Sequence, residues 1–281
     1  MTILNVLFWN INRKNLTNLI EYYVFKYNVD VLVLIEDAIS SNDMLISLNK
    51  NSSKYFFCKS NNRKISIYTS FDSKLFKHHV TDSEFVSLVE FNFIDKSILF
   101  GALHLPSKLT ATTSEKRSFT VRNILREIDK VEGQLGCSDT ILVGDFNMNP
   151  FEDGMVQPDC FNAAMCRTIA SANTRSVNGS GMGKSIDYKY FYNPRWSFMG
   201  DLSKYTPGTY YFYGNDYENH YRWNMLDQIL IRPSLIGNLV ESSLEIIDKD
   251  INGVSLINET NKTRVSSQQC DHLPVFFTMN L

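Results

Sequence analysis

Short dense blocks of apolar residues, each closed by a polar side chain, recur along this chain and predict its elements. Residues 3–9 form an apolar, β-prone run broken by Asn5 and followed by Asn10-Ile11-Asn12, which reads as a core strand leaving two amides on one side. Leu16, Leu19, Ile20, Tyr23 and Val24 then recur at three- and four-residue spacing, so 15–27 reads as an amphipathic helix. Asp30 introduces Val31-Leu32-Val33-Leu34-Ile35, a continuous aliphatic run of the kind buried on both faces of a sheet, and it stops at Glu36. Strand, helix and strand make a β-α-β unit whose pairing direction stays open. Residues 55–59, 64–70, 85–94 and 97–105 read as further strands, with Asp95-Lys96 as the turn between the last two. The run Ser97–Leu103 closes on His104, and Leu105-Pro106-Ser107 begins a loop. A second helix covers 114–131, with Val121, Ile124, Leu125, Ile128 and Val131 on one face. Lys116, Arg117, Arg122, Arg126 and Lys130 lie largely off that face, where they solvate the helix; Arg117 and Arg122, near its start, are also candidates to meet phosphate.

Ile141-Leu142-Val143-Gly144-Asp145-Phe146-Asn147-Met148-Asn149-Pro150 is another apolar run ending in polar residues. Positions two apart share a side of an extended chain, so Asp145 and Asn147 emerge together where the strand gives out. Read alone, the stretch is better taken as a strand-to-loop exit, since Gly, Asp and Asn are turn residues. Residues 152–185 show weak periodicity and read as a long irregular connection containing Gly179-Ser180-Gly181-Met182-Gly183. That glycine run lacks the spacing of a phosphate loop and no strand leads into it. From Tyr188 to Trp223, 14 of 36 positions are aromatic, interleaved with Lys189, Arg195, Lys204 and Arg222. Such residues serve strands and cores, and an exposed minority can stack on bases; Trp196, Tyr205 and Tyr210 are the candidates for that minority. Residues 224–231 read as an apolar strand interrupted by Asp227, a carboxylate that needs a partner if buried. An Asp271-His272 pair then precedes the apolar strand around Val275–Phe277.

Composition narrows the class. With 281 residues, 43% hydrophobic and 21% charged, the chain is globular; no repeat or low-complexity linker divides it, so 1–281 reads as one domain. A formal net charge of -2 offers no global attraction to a polyanion, so a phosphate or nucleic-acid site must come from a local basic patch or a metal ion. Five cysteines without a Cys-x-x-Cys pair read as reduced, structural thiols. The N-terminal residues lack the pattern of a signal peptide and no window approaches a membrane span of about 18 apolar residues. A soluble, cytoplasmic protein is expected, with no membrane partner.

The polar residues at strand ends are Asn10, Glu36, His104, Asp145, Asn147, Asp227, Asp271 and His272. Carboxylates and amides without cysteine form a hard-oxygen set suited to magnesium or manganese, and histidines beside them can move protons and stabilise a transition state. That is the equipment of metal-assisted phosphate-ester hydrolysis. In order along the chain, Trp9-Asn10-Ile11, Ile35-Glu36, Ala102-Leu103-His104, Gly144-Asp145-Phe146-Asn147, Leu226-Asp227-Gln228-Ile229 and Asp271-His272-Leu273-Pro274 resemble the motifs of the endonuclease/exonuclease/phosphatase superfamily. The resemblance runs from residue 9 to residue 274, and the Gly144–Asn147 motif is its most specific piece.

The resemblance implies an α/β fold, a four-layer sandwich of two mixed β-sheets packed face to face with helices outside. It implies a metal held by Glu36 with Asn10 and Asp271 nearby, Asp145 activating water, and Asn147 holding that water or a phosphate oxygen. His272, held by Asp227, would stabilise the phosphorane, and His104 would contact the phosphate or aid the leaving group. Asn12 stands where some repair nucleases of the superfamily carry an aspartate, so one Mg2+ or Mn2+ ion is expected and a second is not supported. His104 resembles the secreted-deoxyribonuclease and lipase-like branches, whereas repair enzymes tend to carry tyrosine there. Phe191–Trp196 with Gly208–Tyr211 resembles a bacterial branch. Three functions remain open: a nuclease acting on nucleic acid, a hydrolase of small phosphoesters such as a phosphoinositide or nucleotide, and a non-catalytic interaction module.

Overall fold

The computed structural model describes residues 2–50, 54–60, 62–94, 96–108, 110–178, 184–200, 206–212, 221–258, 263–264 and 270–281. In chain order its elements begin β1 Ile3–Asn10, α1 Thr17–Lys26, β2 Val31–Ile35, α2 Ser41–Leu48, β3 Phe56–Phe57, β4 Ile65–Thr69, β5 Phe76–His79, β6 Val86–Asn92, β7 Ser97–His104, α3 Ser114–Leu135 and β8 Thr140–Asp145. Then come α4 Asp153–Val156, β9 Ala163–Ala164, α5 Arg167–Ala170, β10 Thr174–Asn178, β11 Ser185–Lys189, β12 Phe191–Tyr192, β13 Tyr210–Tyr211, β14 Trp223–Asn224, β15 Asp227–Ile231, β16 Leu239–Ile246, β17 Ile257–Asn258, β18 Thr263–Arg264 and β19 Val275–Asn280.

Two mixed sheets dominate. One runs β16-β19-β1-β2-β4-β3 and the other β5-β6-β7-β8-β15-β12-β9. The pairing direction that the sequence left open is parallel for β1 with β2, and β7 with β8 is parallel too. Alternation along the strands sorts their side chains into layers. Leu4, Val6 and Phe8 of β1 meet Ile98, Phe100 and Ala102 of β7 and Ile141 and Val143 of β8 in one buried core between the sheets. Leu7, Trp9, Leu32 and Leu34 face the other way, onto Ile20, Tyr23 and Val24 of α1 and Met44 and Leu48 of α2. On the far side, Leu99, Leu103 and Leu142 pack on Val121, Ile124 and Ile128 of α3. Helices, sheet, sheet and helix make the expected four-layer α/β sandwich.

The same alternation positions the site. Asn10, His104, Asp145 and Asp227 each share the inward parity of their strands, yet each lies at a strand end, where the apolar core stops. Register finishes the alignment: His104 pairs with Asp145 across β7 and β8, and Asp227 pairs with Asp145 across β15 and β8. Three polar side chains therefore form one row across three adjacent strands. Gly144 permits that closeness, because a Cβ there would stand 2.2 Å from the Leu103 carbonyl oxygen of β7.

Several elements differ from expectation. Helix α2 carries only Met44, Ser47 and Leu48 as its buried side, too short a pattern to stand out, and Ser40 caps it by accepting from the Asp43 amide. Edge strand β5 is polar, and β16, whose register shifts between Val240 and Glu245, alternates poorly. Helix α3 runs past Val131 to Leu135, where Gly136 ends it at φ 65°. The run 224–231 is split: β14 pairs with β13 in a separate hairpin, and only β15 joins the large sheet. The stretch read as irregular, 152–185, holds α4, β9, α5 and β10, and ends where β11, the antiparallel partner of β10, begins. Asp95 of the expected turn, Gly179–Gly183, Lys204 and Tyr205 lie outside the described residues. Among the described residues no helix is long and apolar enough to cross a membrane.

One buried ion cluster fastens α3 to the second sheet. Glu132 accepts from Arg232 Nε at 2.8 Å, from Lys189 Nζ at 2.7 Å and from Thr140 Oγ1 at 2.7 Å. Burial alone would raise the Glu132 carboxyl, but Arg232, Lys189 and Thr140 outweigh it and hold it below the usual carboxylate range. Glu132→Ala should leave the buried Arg232, among the described residues, with only its longer ion-pair contact to Asp129, 3.6 Å from Nη2, and cost about 3–5 kcal/mol, read as a lower denaturation midpoint; a change under about 1 kcal/mol would deny the cluster its structural role.

Candidate active site

At the end of the sandwich where β1, β2, β7 and β8 run out, a cleft of about 900 Å³ opens between the two sheets. Asn10, Glu36, His104, Asp145, Asn147, Asp271 and His272, seven of the eight strand-end residues singled out in the sequence, line it. Asp227 lies directly beneath, fully buried.

Asp227 and His272 form a dyad. The His272 Nδ1 lies 2.8 Å from Asp227 Oδ2 and 3.1 Å from Oδ1, which assigns the Nδ1 proton to that contact and aims Nε2 at the cleft. Thr209 fixes the carboxylate end of the dyad by accepting from the Asp227 amide at 3.1 Å. Trp9 fixes the imidazole end, its indole donating to the His272 carbonyl at 2.8 Å. The mid-strand carboxylate thus has its partner.

Asp145 is the next residue in the row. Its Oδ1 accepts from the Asn147 amide at 2.8 Å, its Oδ2 accepts from Asn10 Nδ2 at 3.0 Å, and the same Oδ2 lies 3.8 Å from His272 Nε2. Burial pushes its carboxyl up to about 7, with the His272 charge pulling against it and Asp227 adding to the rise. A carboxylate poised there can take a proton near neutral pH. Asn147 sits at φ 48° and lines the cleft, and its Nδ2 donates to the Leu105 carbonyl at 2.8 Å.

Glu36 follows β2 with φ 51° and approaches His104 Nε2 at 3.5 Å and Arg13 Nε at 3.8 Å. Burial, reinforced by like charge from Lys64 and His272, takes the His104 imidazole down to about 4, so its contact with Glu36 is not an ion pair at neutral pH. The His104 Nδ1 is buried and has no partner among the described residues. Glu36 is thus a carboxylate beside His104, a neighbour that the sequence did not disclose.

Two donor groups could hold a cation. Among the described residues, Asp145, Asp227 and His272 are the three whose candidate ligand atoms lie within 4.8 Å of one another. They are already spent on each other and on Asn10 and Asn147, an arrangement that suits proton handling. Glu36 and Asp271 line the cleft with Asn10, whose Oδ1 accepts from the Asn12 amide at 3.1 Å and keeps a second lone pair, and this oxygen set fits a hard divalent cation better.

The substrate-binding candidates separate. Arg117 lines the cleft and so does Tyr210, whose ring centroid is 5.0 Å from the His272 ring. Arg122 does not: five positions further along α3 is a rotation of about 140°, and it pairs with Asp159 at 2.6 Å on another side of the helix. Trp196 is half-buried against Phe151, 6.3 Å between ring centroids, and is not part of the cleft wall. Sequence reasoning passed over Ser107, Lys108, Thr112, Phe212 and Tyr221 in the wall. It also passed over a buried amide network behind it: Asn149 accepts from the Met225 amide at 2.9 Å, and Gln228 donates to the Met148 carbonyl at 2.6 Å. The polar pair Asp227-Gln228 opening an apolar strand was the available signal for the second of these.

Neither a family sequence model nor a curated protein matches the chain. Solved structures do. D. rerio TDP2 complexed with single strand DNA product superposes with a TM-score of 0.54 at 16% identity over 100% of both chains. The endonuclease domain of TRAS1, a telomere-specific non-LTR retrotransposon, gives 0.53 at 12% identity over 99% of both chains. An endonuclease/exonuclease/phosphatase family protein from Bacteroides thetaiotaomicron gives 0.55 at 13% over 99% of this chain and 97% of its own. At these identities the likeness is one of fold: the chain has the α/β sandwich of the endonuclease/exonuclease/phosphatase proteins.

Proposed function

We propose that this chain is, over its whole length, one catalytic domain of a divalent-metal-dependent phosphodiesterase that hydrolyses nucleic-acid phosphodiester bonds. The observation that carries the reading is the row of His104, Asp145 and Asp227 across three strands, with His272 Nε2 3.8 Å from Asp145 Oδ2. In this reading Asp145 takes a proton from water as the water oxygen bonds to phosphorus, and the ester oxygen departs from the opposite side. Asn147 orients that water or a phosphate oxygen. An imidazolium His272, its charge balanced by Asp227, donates Nε2–H to a non-bridging oxygen as negative charge gathers there. Neutral His104 offers an N–H to the phosphate or the leaving oxygen. Glu36, Asn10 and Asp271 hold one Mg2+ or Mn2+ ion, which when bound supplies charge neutralisation at the phosphate.

Nucleic acid as substrate is supported by the aromatic and basic cleft wall of Tyr210, Phe212, Tyr221, Lys108 and Arg117, and by fold neighbours that include a TDP2 complex with a single strand DNA product. The net charge of -2 favours the second reading, a small phosphoester. The deciding experiment is a panel of single- and double-stranded DNA, RNA and small phosphoesters with magnesium or manganese, beside an Asp145→Ala control. Cleavage of a polynucleotide by the native protein alone is the expected result. Hydrolysis confined to small phosphoesters would replace the substrate class, and turnover by Asp145→Ala at the native rate would remove the mechanism. Absence of turnover together with no calorimetric binding of magnesium or manganese would leave a non-catalytic module.

A further inference from the structure

Lys108 and Arg117 stand on one wall of the cleft and share a single carboxylate, Glu152. Lys108 Nζ donates to Glu152 Oε1 at 2.7 Å, and Arg117 Nη2 lies 3.5 Å from Oε2, so two cations face one anion. Glu152 is tied in turn to the segment that follows Asp145 and Asn147, because its Oε1 accepts the Asn149 amide at 2.8 Å. The wall is thus braced against the catalytic turn.

Its donors are not used up. Arg117 Nη1 donates to the Ala111 carbonyl at 2.9 Å, and its Nε is buried without a partner among the described residues, in a side chain only 13% exposed. The 3.5 Å contact to Glu152 leaves Arg117 Nη2 without a close acceptor among the described residues, and an oxyanion in the cleft that Arg117 lines would supply one. Lys108 has three donors and, among the described residues, a single bonded partner in Glu152; the side chains of Ser107 and Thr112 line the same wall. None of these groups takes part in the Asp145, Asp227 and His272 cluster.

We infer that Ser107, Lys108, Thr112 and Arg117 form a second phosphate subsite, which binds the phosphate next to the one being cleaved. The inference rests on the proposed function, since that reading says which phosphate reacts at Asp145. It deepens that reading: the substrate class is one with two phosphates joined by a single sugar unit, a polynucleotide first. Glu152 is the positioning residue, holding both cations in register with the catalytic turn.

Binding can be measured without turnover. The Asp145→Asn protein is titrated calorimetrically with a dinucleoside monophosphate and with a trinucleoside diphosphate, and the salt dependence of each affinity is followed. The second phosphate should tighten binding about tenfold and steepen log K against log salt by about 0.7. Arg117→Gln or Lys108→Gln, each placed in the same background, should bring the two ligands to equal affinity and equal slope. Lys108, 41% exposed, tests the wall even if Arg117→Gln disturbs the loop at Ala111. A nucleoside 3′,5′-bisphosphate compared with its monophosphate shows whether a small ligand also reaches the subsite; a gain there as large as the polymer's assigns it to small bisphosphates as well. Equal affinities for one- and two-phosphate ligands with the wall intact, or a gain that survives both substitutions, would overturn the inference. Failure of the native protein to hydrolyse any phosphodiester would instead overturn the proposed function and leave the binding difference standing.

Discussion

Asp145→Asn should lower kcat/KM for phosphodiester cleavage about a thousandfold and, in the same protein, raise stability at pH 8. Both effects come from one cause. Burial lifts the Asp145 carboxyl from 3.8 to about 7, so between those values the folded protein holds a proton that the unfolded chain has released. Ionising the group therefore removes stability as pH rises through that window. Asparagine keeps the shape and cannot ionise. Its advantage should be negligible below about pH 4 and complete above about pH 7, on the order of 1–3 kcal/mol, when melting is compared at pH 5 and pH 8 with a chelator present. The native rate should show an acid limb near pH 7 as the Asp145 carboxyl ionises. A variant within about tenfold of native activity, or a melting difference that ignores pH, would show that the cost of burying Asp145 is not what prepares it for catalysis.

The sequence disclosed the strand ends but, of the walls, only Arg117 and Tyr210. Asn10, Glu36, His104, Asp145 and His272 could be found because each interrupts an apolar run, and a polar residue among buried aliphatics is conspicuous one strand at a time. Their convergence depends on register: whether His104 and Asp227 flank Asp145 is decided by inter-strand pairing and by Gly144 letting β7 approach, neither of which leaves a local pattern. Lys108, Thr112 and Tyr221 sit on connections, where polarity is ordinary and carries no signal. Arg117 and Arg122 show the same limit from the other side: equivalent in composition, they are separated by helix phase, and only one reaches the cleft. The missed strands β5 and β16 are half-solvated edges or bulged, so their alternation is diluted. Short α2 fails for a different reason, since three buried positions are too few for a helical period to register.

Asp227→Asn and His272→Ala should each lower kcat by about a hundredfold or more, and the double variant should be no slower than the worse single one. Asp227 is fully buried and reaches the cleft through His272 Nδ1, at 2.8 Å, so removing the imidazole leaves the carboxylate nothing to orient. Groups that act as a unit give such non-additive losses. Replacing the carboxylate by an amide has its own cost. An amide at position 227 can turn its N–H toward Nδ1, which must then accept, and the imidazolium loses the anion that stabilises it. Metal affinity separates this dyad from the Glu36 group: calorimetric binding of Mg2+ or Mn2+ should survive Asp227→Asn and be lost in Glu36→Gln. Additive losses would mean that Asp227 acts on the reaction by a route other than His272, and weakened metal binding in Asp227→Asn would make the buried Asp145, Asp227 and His272 cluster the cation site in place of Glu36, Asn10 and Asp271.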